Sequence, residues 1–293
     1  MKTQVIPWII ILLALTIFGD LWEEGPYVKL PPISSVPGPN EKILAPLPPP
    51  RPEGQGPLKD KSRHDGNIII EVEKKSQRTI ATGTAFSISR DGIWVTAKHV
   101  TNGCDQLILQ VSHNKGYLAT DLIEHPSADV SIFKTQAGAM PIQIESQVLN
   151  YNAEGFHFGY PRGEPGDVYS RLIGRRILNV RGAQAGKESV LVWAEKRRFP
   201  DHFLSLGGIS GGPIVNKAGN MVGVHVAGSV RRGRAYSSLP NTVTHLIKRA
   251  GFATIKEPIE RQDTEYLTPQ NFLAAGQDLR KNLSVAKVIC IVR

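Results

Sequence analysis

"GPIVNKAGNMVGVHVA", Gly212 to Ala227, holds two apolar runs joined by a polar turn. "NKAGNM" reads as a hairpin turn with Gly219 at the position that needs a positive φ. The run that follows alternates in the manner of a half-buried strand. His225 interrupts it where valine would pack better. An imidazole suits an apolar strand only if its nitrogens find polar partners, so this ring is a candidate for more than packing.

Outward from this hairpin the same texture continues. "NIIIEVEKK", "TGTAFSIS", "GIWVTAKHV", "QLILQVS", "DVSIFKT" and "SVLVWAEK" are short runs rich in Val, Ile, Phe and Thr, separated by glycine and turn residues. Helical periodicity is scarce, so the pattern predicts an all-β barrel or sandwich. Two helices are expected near the end: "NTVTHLIKRAGF", with Asn241 as its cap, and "TPQNFLAAGQDLRKNL", with Thr268 as cap and Pro269 in the first turn. The final "VAKVICIVR" is expected to add a strand to a sheet edge.

The chain has 293 residues, 41% of them hydrophobic, which is ordinary for a globular protein and excludes a disordered one. A net charge of +9 suits nucleic acid, an anionic membrane or acidic substrates equally, and by default marks a solvated basic face. Two cysteines, Cys104 and Cys290, exclude a disulfide scaffold and a four-cysteine metal site; pairing and free thiols both stay open. One lysine precedes an apolar run from Val5 to Phe18, and Asp20, Glu23 and Glu24 follow, which sends the rest of the chain across a membrane. The run is either a signal peptide or, favoured by the lack of a small-x-small cleavage site, a retained anchor. From Gly25 onward prolines dominate and predict a semi-rigid extended stalk. The expected organisation is therefore residues 1–24 as signal or anchor, 25–65 as linker, 66–258 as the main domain and 259–293 as a helix-and-strand tail.

Chemistry concentrates in "GGISGGPIVN". A serine flanked by glycines lets the backbone turn so that two amide hydrogens, those of Gly208 and Ser210, point at one spot beside the hydroxyl. A hydroxyl needs a base to become a nucleophile, and the base needs a carboxylate to orient it. His99 closes "IWVTAKHV" and Asp129 opens a strand in "ADVSIF", so the chain carries both. Each signal alone is weak, and their joint occurrence in one β-rich chain is much stronger.

On "TGTAF", "VTAKHV", "ADVSIF", "HFGYPRG" and "GGISGGPIV" the chain resembles the trypsin-like, chymotrypsin-fold serine proteases. The resemblance implies two six-stranded antiparallel β-barrels with short C-terminal helices, a cleft between the barrels, and His99, Asp129 and Ser210 as base, orienting acid and nucleophile. Val100 and Ile209 stand where the animal enzymes carry a cysteine and an aspartate, which points to the bacterial branch. That branch includes the glutamyl endopeptidases and the high-temperature-requirement proteases, here with too few residues after the protease segment for a PDZ domain. The same resemblance implies that His225 reads the substrate side chain with help from Ser205, that Val226, Ala227 and Gly228 pair with substrate backbone, and that Leu204 replaces the aspartate of enzymes with basic specificity. The implied activity is a serine endopeptidase preferring Glu or Gln before the scissile bond. Against the specificity stands a satisfied core histidine, and against the activity a catalytically idle protease-shaped binding protein.

The remaining expectations follow. No cofactor is needed, and no metal motif such as His-Glu-x-x-His occurs. The basic clusters "RLIGRRILNVRG", "EKRR" and "RRGR" lack interleaved aromatics or a recognisable module, so no nucleic-acid partner is expected. The partner implied is a polypeptide substrate outside the cytoplasm, with membrane contact through the N-terminal segment.

Overall fold

A computed structural model describes residues 27–30, 68–72, 74–76, 78–182, 185–202, 205–229, 232–252 and 267–293. The expected anchor and nearly all of the expected linker lie outside these residues, as does Leu204. Among the described residues no helix is long and apolar enough to cross a membrane.

Fifteen strands account for about half of the described residues: β1 Tyr27–Lys29, β2 Ile68–Val72, β3 Thr79–Ser87, β4 Ile93–Thr96, β5 Gln106–Gln110, β6 Lys115–Leu118, β7 Thr120–Glu124, β8 Ser131–Lys134, β9 Glu154–Gly159, β10 Gly166–Gly182, β11 Gly186–Phe199, β12 Pro213–Val215, β13 Met221–Ser229, β14 Arg234–Ser238 and β15 Val285–Val292. They form two sheets. The first runs β1-β6-β5-β15-β3-β4-β8-β7, and the second β11-β14-β13-β12-β9-β10-β2. An additional β10–β11 pairing closes six strands of the second sheet on themselves, with β2 added outside on β10 as a parallel strand. A closed ring leaves no exposed edge in its own circuit. The first sheet contains the six expected strands plus β1 at its rim and β15 inserted in its middle.

The C-terminal strand is therefore not an edge strand. It pairs with β3 from Val285 to Val292 and with β5 from Val288 to Ile291. Its Val288, Ile289 and Cys290 are completely buried, a burden that a strand at a sheet edge does not carry. The β12–β13 hairpin forms as expected, with Gly219 at φ 74° and the Asn216 side-chain oxygen accepting from the Asn220 N–H. The helices differ at their starts. The first runs from Pro240 to Arg249, so Asn241 lies inside it and proline takes the first turn. The second runs from Phe272 to Lys281, because the Thr268 hydroxyl accepts from the Gln270 and Asn271 N–H groups in a turn that precedes it.

Two apolar clusters join the sheets, and one of them also takes in both helices. In that one, Phe86, Val95 and Ile132 from the first sheet meet Phe156, Tyr169 and Val224 from the second, with Leu246 and Phe272 of the two helices closing it. A shared core of this kind keeps the sheets from sliding over each other, which matters for any site that draws residues from both. The cysteines are paired: Cys104, just beyond the helical turn Lys98–Thr101, bonds Cys290 on β15.

Candidate active site

His99 sits on the helical turn that leaves β4, with buried Ala97 and Val100 around it. Lys75 stabilises the end of this turn by donating to the Val100 and Asn102 carbonyl oxygens, both at 2.8 Å. Asp129 holds His99 twice. Its Oδ1 accepts the His99 backbone N–H at 2.8 Å, and its Oδ2 lies 2.6 Å from Nδ1. Two bonds from one carboxylate fix both the ring's position and its tautomer, with the proton on Nδ1 and Nε2 turned outward. Burial pushes the His99 proton affinity down, but the charge and hydrogen bond of Asp129 more than offset this, and the ring ends above its ordinary value; the Lys75 charge opposes the rise.

The loop carrying Asp129 is shaped from within. His125 Nδ1 accepts the N–H groups of Ser127 and Ala128, and the His125 N–H donates to the Val130 carbonyl. The amide of Asp129 itself donates across to Glu188 Oε1 on β11.

Ser210 lies on a loop pressed against the strands that lead to His99. The Thr84 N–H donates to the Ser210 carbonyl at 2.9 Å, the Thr84 hydroxyl to the Gly208 carbonyl at 2.8 Å, and the Thr96 hydroxyl to the Thr84 carbonyl at 2.6 Å. Gly211 has φ +89°, and a Cβ there would lie 2.1 Å from the Thr84 carbonyl oxygen and 2.8 Å from the Ala97 nitrogen. Only glycine permits that approach. On its other side, Gly208 has φ +100° and packs on the Tyr160 carbonyl and the Arg162 nitrogen. Ser210 is thus brought beside the residues preceding His99, although no hydrogen bond joins its hydroxyl to that ring among the described residues. Bonds of this type are often long until substrate is bound.

The amides of this loop alternate in their use. Ile209 donates to Leu206, Gly211 to His225 and Gly212 to Ile209, whereas Gly208 and Ser210 donate to nothing among the described residues. Two free N–H groups flanking a committed one are the arrangement that an oxyanion requires.

His225 is buried, with 1% of its surface exposed, and it does find a partner. Its Nδ1 lies 3.0 Å from His157 Nδ1, His157 Nε2 lies 2.7 Å from the Ser170 hydroxyl, and that hydroxyl donates to the Gly155 carbonyl. Burial, then the charges of His99 and Arg198, push His225 down to about 3, so it is neutral at physiological pH. No hydrogen bond joins Ser205 to it among the described residues. The Ser205 hydroxyl is exposed and accepts the Gly207 N–H at 3.1 Å, closing a local turn. Val226, Ala227 and Gly228 continue β13 beyond Val224, where its pairing with β12 ends, so among the described residues no strand pairs with them on that side. Sequence reasoning missed Thr84, Thr96, His157, Ser170 and Glu188. Thr84, Thr96 and His157 lie inside motifs already quoted, whereas nothing local marks Ser170 or Glu188.

The chain matches the trypsin-like peptidase domain family over residues 83–224. Among curated proteins it is similar to a probable periplasmic serine endoprotease, DegP-like, of Chlamydia trachomatis, with 26% identity over 159 residues, covering 54% of this chain and 30% of the relative. The corresponding protein of Pseudomonas fulva is 26% identical over 145 residues, covering 49% and 28%. The match therefore spans less than a third of either relative's length. Among solved structures, the active form of the Rv3671c protease from M. tuberculosis aligns with a TM-score of 0.50 at 18% identity, covering 69% of this chain and 96% of that one. An HtrA-type protease, AlgW with decapeptide, aligns with a TM-score of 0.46 at 20% identity, covering 57% and 51%.

Proposed function

We propose that this chain, which carries a trypsin-like peptidase domain homologous to the DegP-like serine proteases, is a serine endopeptidase with Ser210 as nucleophile, His99 as base and then acid, and Asp129 as the orienting acid. The observation that carries the reading is the loop in which Gly208 and Ser210 keep free amides while Thr84 and Thr96 seat it beside the His99–Asp129 pair. In this reading the Ser210 hydroxyl attacks the scissile carbonyl as His99 Nε2 takes its proton. The two amides hold the tetrahedral oxyanion, and His99 returns the proton to the departing amine. Water then hydrolyses the acyl-enzyme by the same route, and no cofactor takes part. Labelling by a fluorophosphonate probe tests this: it is expected in the wild type and lost in Ser210→Ala, and a probe that ignores both proteins makes the chain an idle binder instead.

The preferred substrate carries Glu or Gln before the scissile bond. His225, His157 and Ser170 form a polar chain inside an otherwise apolar wall, and His225 Nε2 is left without a protein partner among the described residues. With Ser170 donating to Gly155, each proton points inward and Nε2 is a lone pair that accepts from a glutamine amide. Turning the Ser170 hydroxyl toward His157 reverses every proton, and Nε2 then donates to a carbonyl or carboxylate. A site built around such a group rejects apolar side chains, which leave it unpaired. Val226 to Gly228 present the edge that pairs with substrate backbone. A peptide library varied at the residue before the cut is expected to favour Gln and Glu, and His225→Ala to erase the preference. A basic or aromatic preference overturns it.

The enzyme acts outside the cytoplasm. The relatives are named as periplasmic, and the Cys104–Cys290 bond suits an oxidising compartment. The N-terminal apolar run either anchors the chain or is cleaved, which membrane fractionation and N-terminal sequencing of the mature protein distinguish.

A further inference from the structure

Glu188 is buried on β11 with both carboxylate oxygens engaged. Oε1 accepts the Asp129 backbone N–H at 2.9 Å, and Oε2 accepts the Ser238 hydroxyl at 2.9 Å. Asp129 belongs to the loop between β7 and β8 of the first sheet, whereas Glu188 and Ser238 belong to the second. The bond therefore crosses from the sheet that carries Ser210 to the loop that carries the acid.

We propose that Glu188 is a positioning residue that holds Asp129, and through it His99, in alignment with Ser210; this rests on the reading of those three as the reacting groups. Three polar groups of Asp129 are hydrogen-bonded to His99 or Glu188. Its two carboxylate oxygens are both committed to His99, so they fix acid and base to each other but neither of them to the second sheet. The N–H is the group that reaches that sheet. The amides of His125, Ser127 and Ala128 have acceptors within the loop, whereas that of Asp129 is satisfied from the second sheet. A leucine would fill the same space at lower cost, since a buried carboxyl must recover its lost hydration through its partners. A carboxyl aimed at the acid's own backbone therefore points to alignment rather than packing. Displacements of about an ångström in such a trio cost on the order of 100-fold in rate.

The test follows the rate at which the full chain is labelled by a fluorophosphonate probe, resolved into probe binding and the bond-forming step, with thermal melts on each variant. Glu188→Gln keeps an acceptor for the Asp129 N–H and is expected to label within about threefold of the wild type. Glu188→Leu removes the acceptor and is expected to slow the bond-forming step roughly 10- to 100-fold with probe binding unchanged. If Glu188→Leu does not melt cooperatively, Glu188→Asp serves, since it keeps the charge but falls short of the Asp129 N–H and is expected to be slow. Wild-type labelling by a folded Leu or Asp variant overturns the proposal, as does a Gln variant as slow as Leu. Labelling that persists in Ser210→Ala sinks the protease reading itself, whatever Glu188 does.

Discussion

Arg280 and Asp167 meet as a bidentate pair, Nη1 on Oδ1 at 2.6 Å and Nη2 on Oδ2 at 2.9 Å, and both side chains are buried. Asp167 lies at the start of β10 and Arg280 near the end of the C-terminal helix, so the pair fastens that helix to the second barrel. Gly276 makes room for it, since a Cβ there would come within 2.6 Å of the Asp167 carboxylate. Removing one partner leaves the other charge buried and alone. Arg280→Ala is expected to cost about 3–5 kcal/mol in denaturant unfolding, and the double replacement Asp167→Leu with Arg280→Met much less.

Gly211 tests the seat of the candidate nucleophile. At φ +89° and with Thr84 and Thr96 oxygens at 2.1 and 2.2 Å from a notional Cβ, alanine cannot be accommodated without moving the loop. Gly211→Ala is expected to reduce fluorophosphonate labelling at least 100-fold.

The disulfide joins the segment after His99 to the central strand β15, closing a long loop across a sequence separation of 186. Cross-links of that span restrict the unfolded chain most. Replacing both cysteines by serine is expected to cost about 2–5 kcal/mol, read as a lower denaturation midpoint, and a reductant is expected to shift the wild type the same way and leave the double variant untouched.

The labelling rate is expected to depend on pH through His99, which must be neutral to act as a base. Asp129 raises its proton affinity above the ordinary 6.5 despite burial, so the rate climbs with pH through a midpoint above that value. Asp129→Asn removes the charge that raises it. Its midpoint is expected to move down, and its plateau to fall by on the order of 10⁴-fold because the tautomer is no longer held.

Glu188 titrates the opposite way in stability. Burial first, then the charge of Asp129, push its pKa from 4.5 to about 7, against the pull of its two hydrogen bonds. A carboxyl raised on folding keeps a proton that the unfolded chain has released, so stability falls as pH rises between about 4.5 and 7. Glu188→Gln lacks this term and is expected to be more stable than the wild type at pH 8, by on the order of 3 kcal/mol at most, but not at pH 4. Urea unfolding of both proteins at the two pH values measures the difference.

Much of this architecture is written locally. The strand through Met221–Ala227, the positive φ demanded of Gly219, and the glycines around Ser210 all depend on near neighbours, and each forms where the residues place it, although Met221 to Val226 are buried without a break rather than on one face only. The need of a hydroxyl for a base, and of the base for an acid, likewise selected His99 and Asp129, which do meet. Tertiary structure alone decided that "VAKVICIVR" lies at the centre of a sheet, that Cys104 faces Cys290, that His225 bonds His157 and His157 in turn Ser170, and that Glu188 reaches Asp129. Local pattern records which face of a strand is apolar and where the chain turns. Which strand lies beside which, and which polar tips converge, follows from how two sheets curl and pack over separations of tens to hundreds of residues, and no window of sequence carries that.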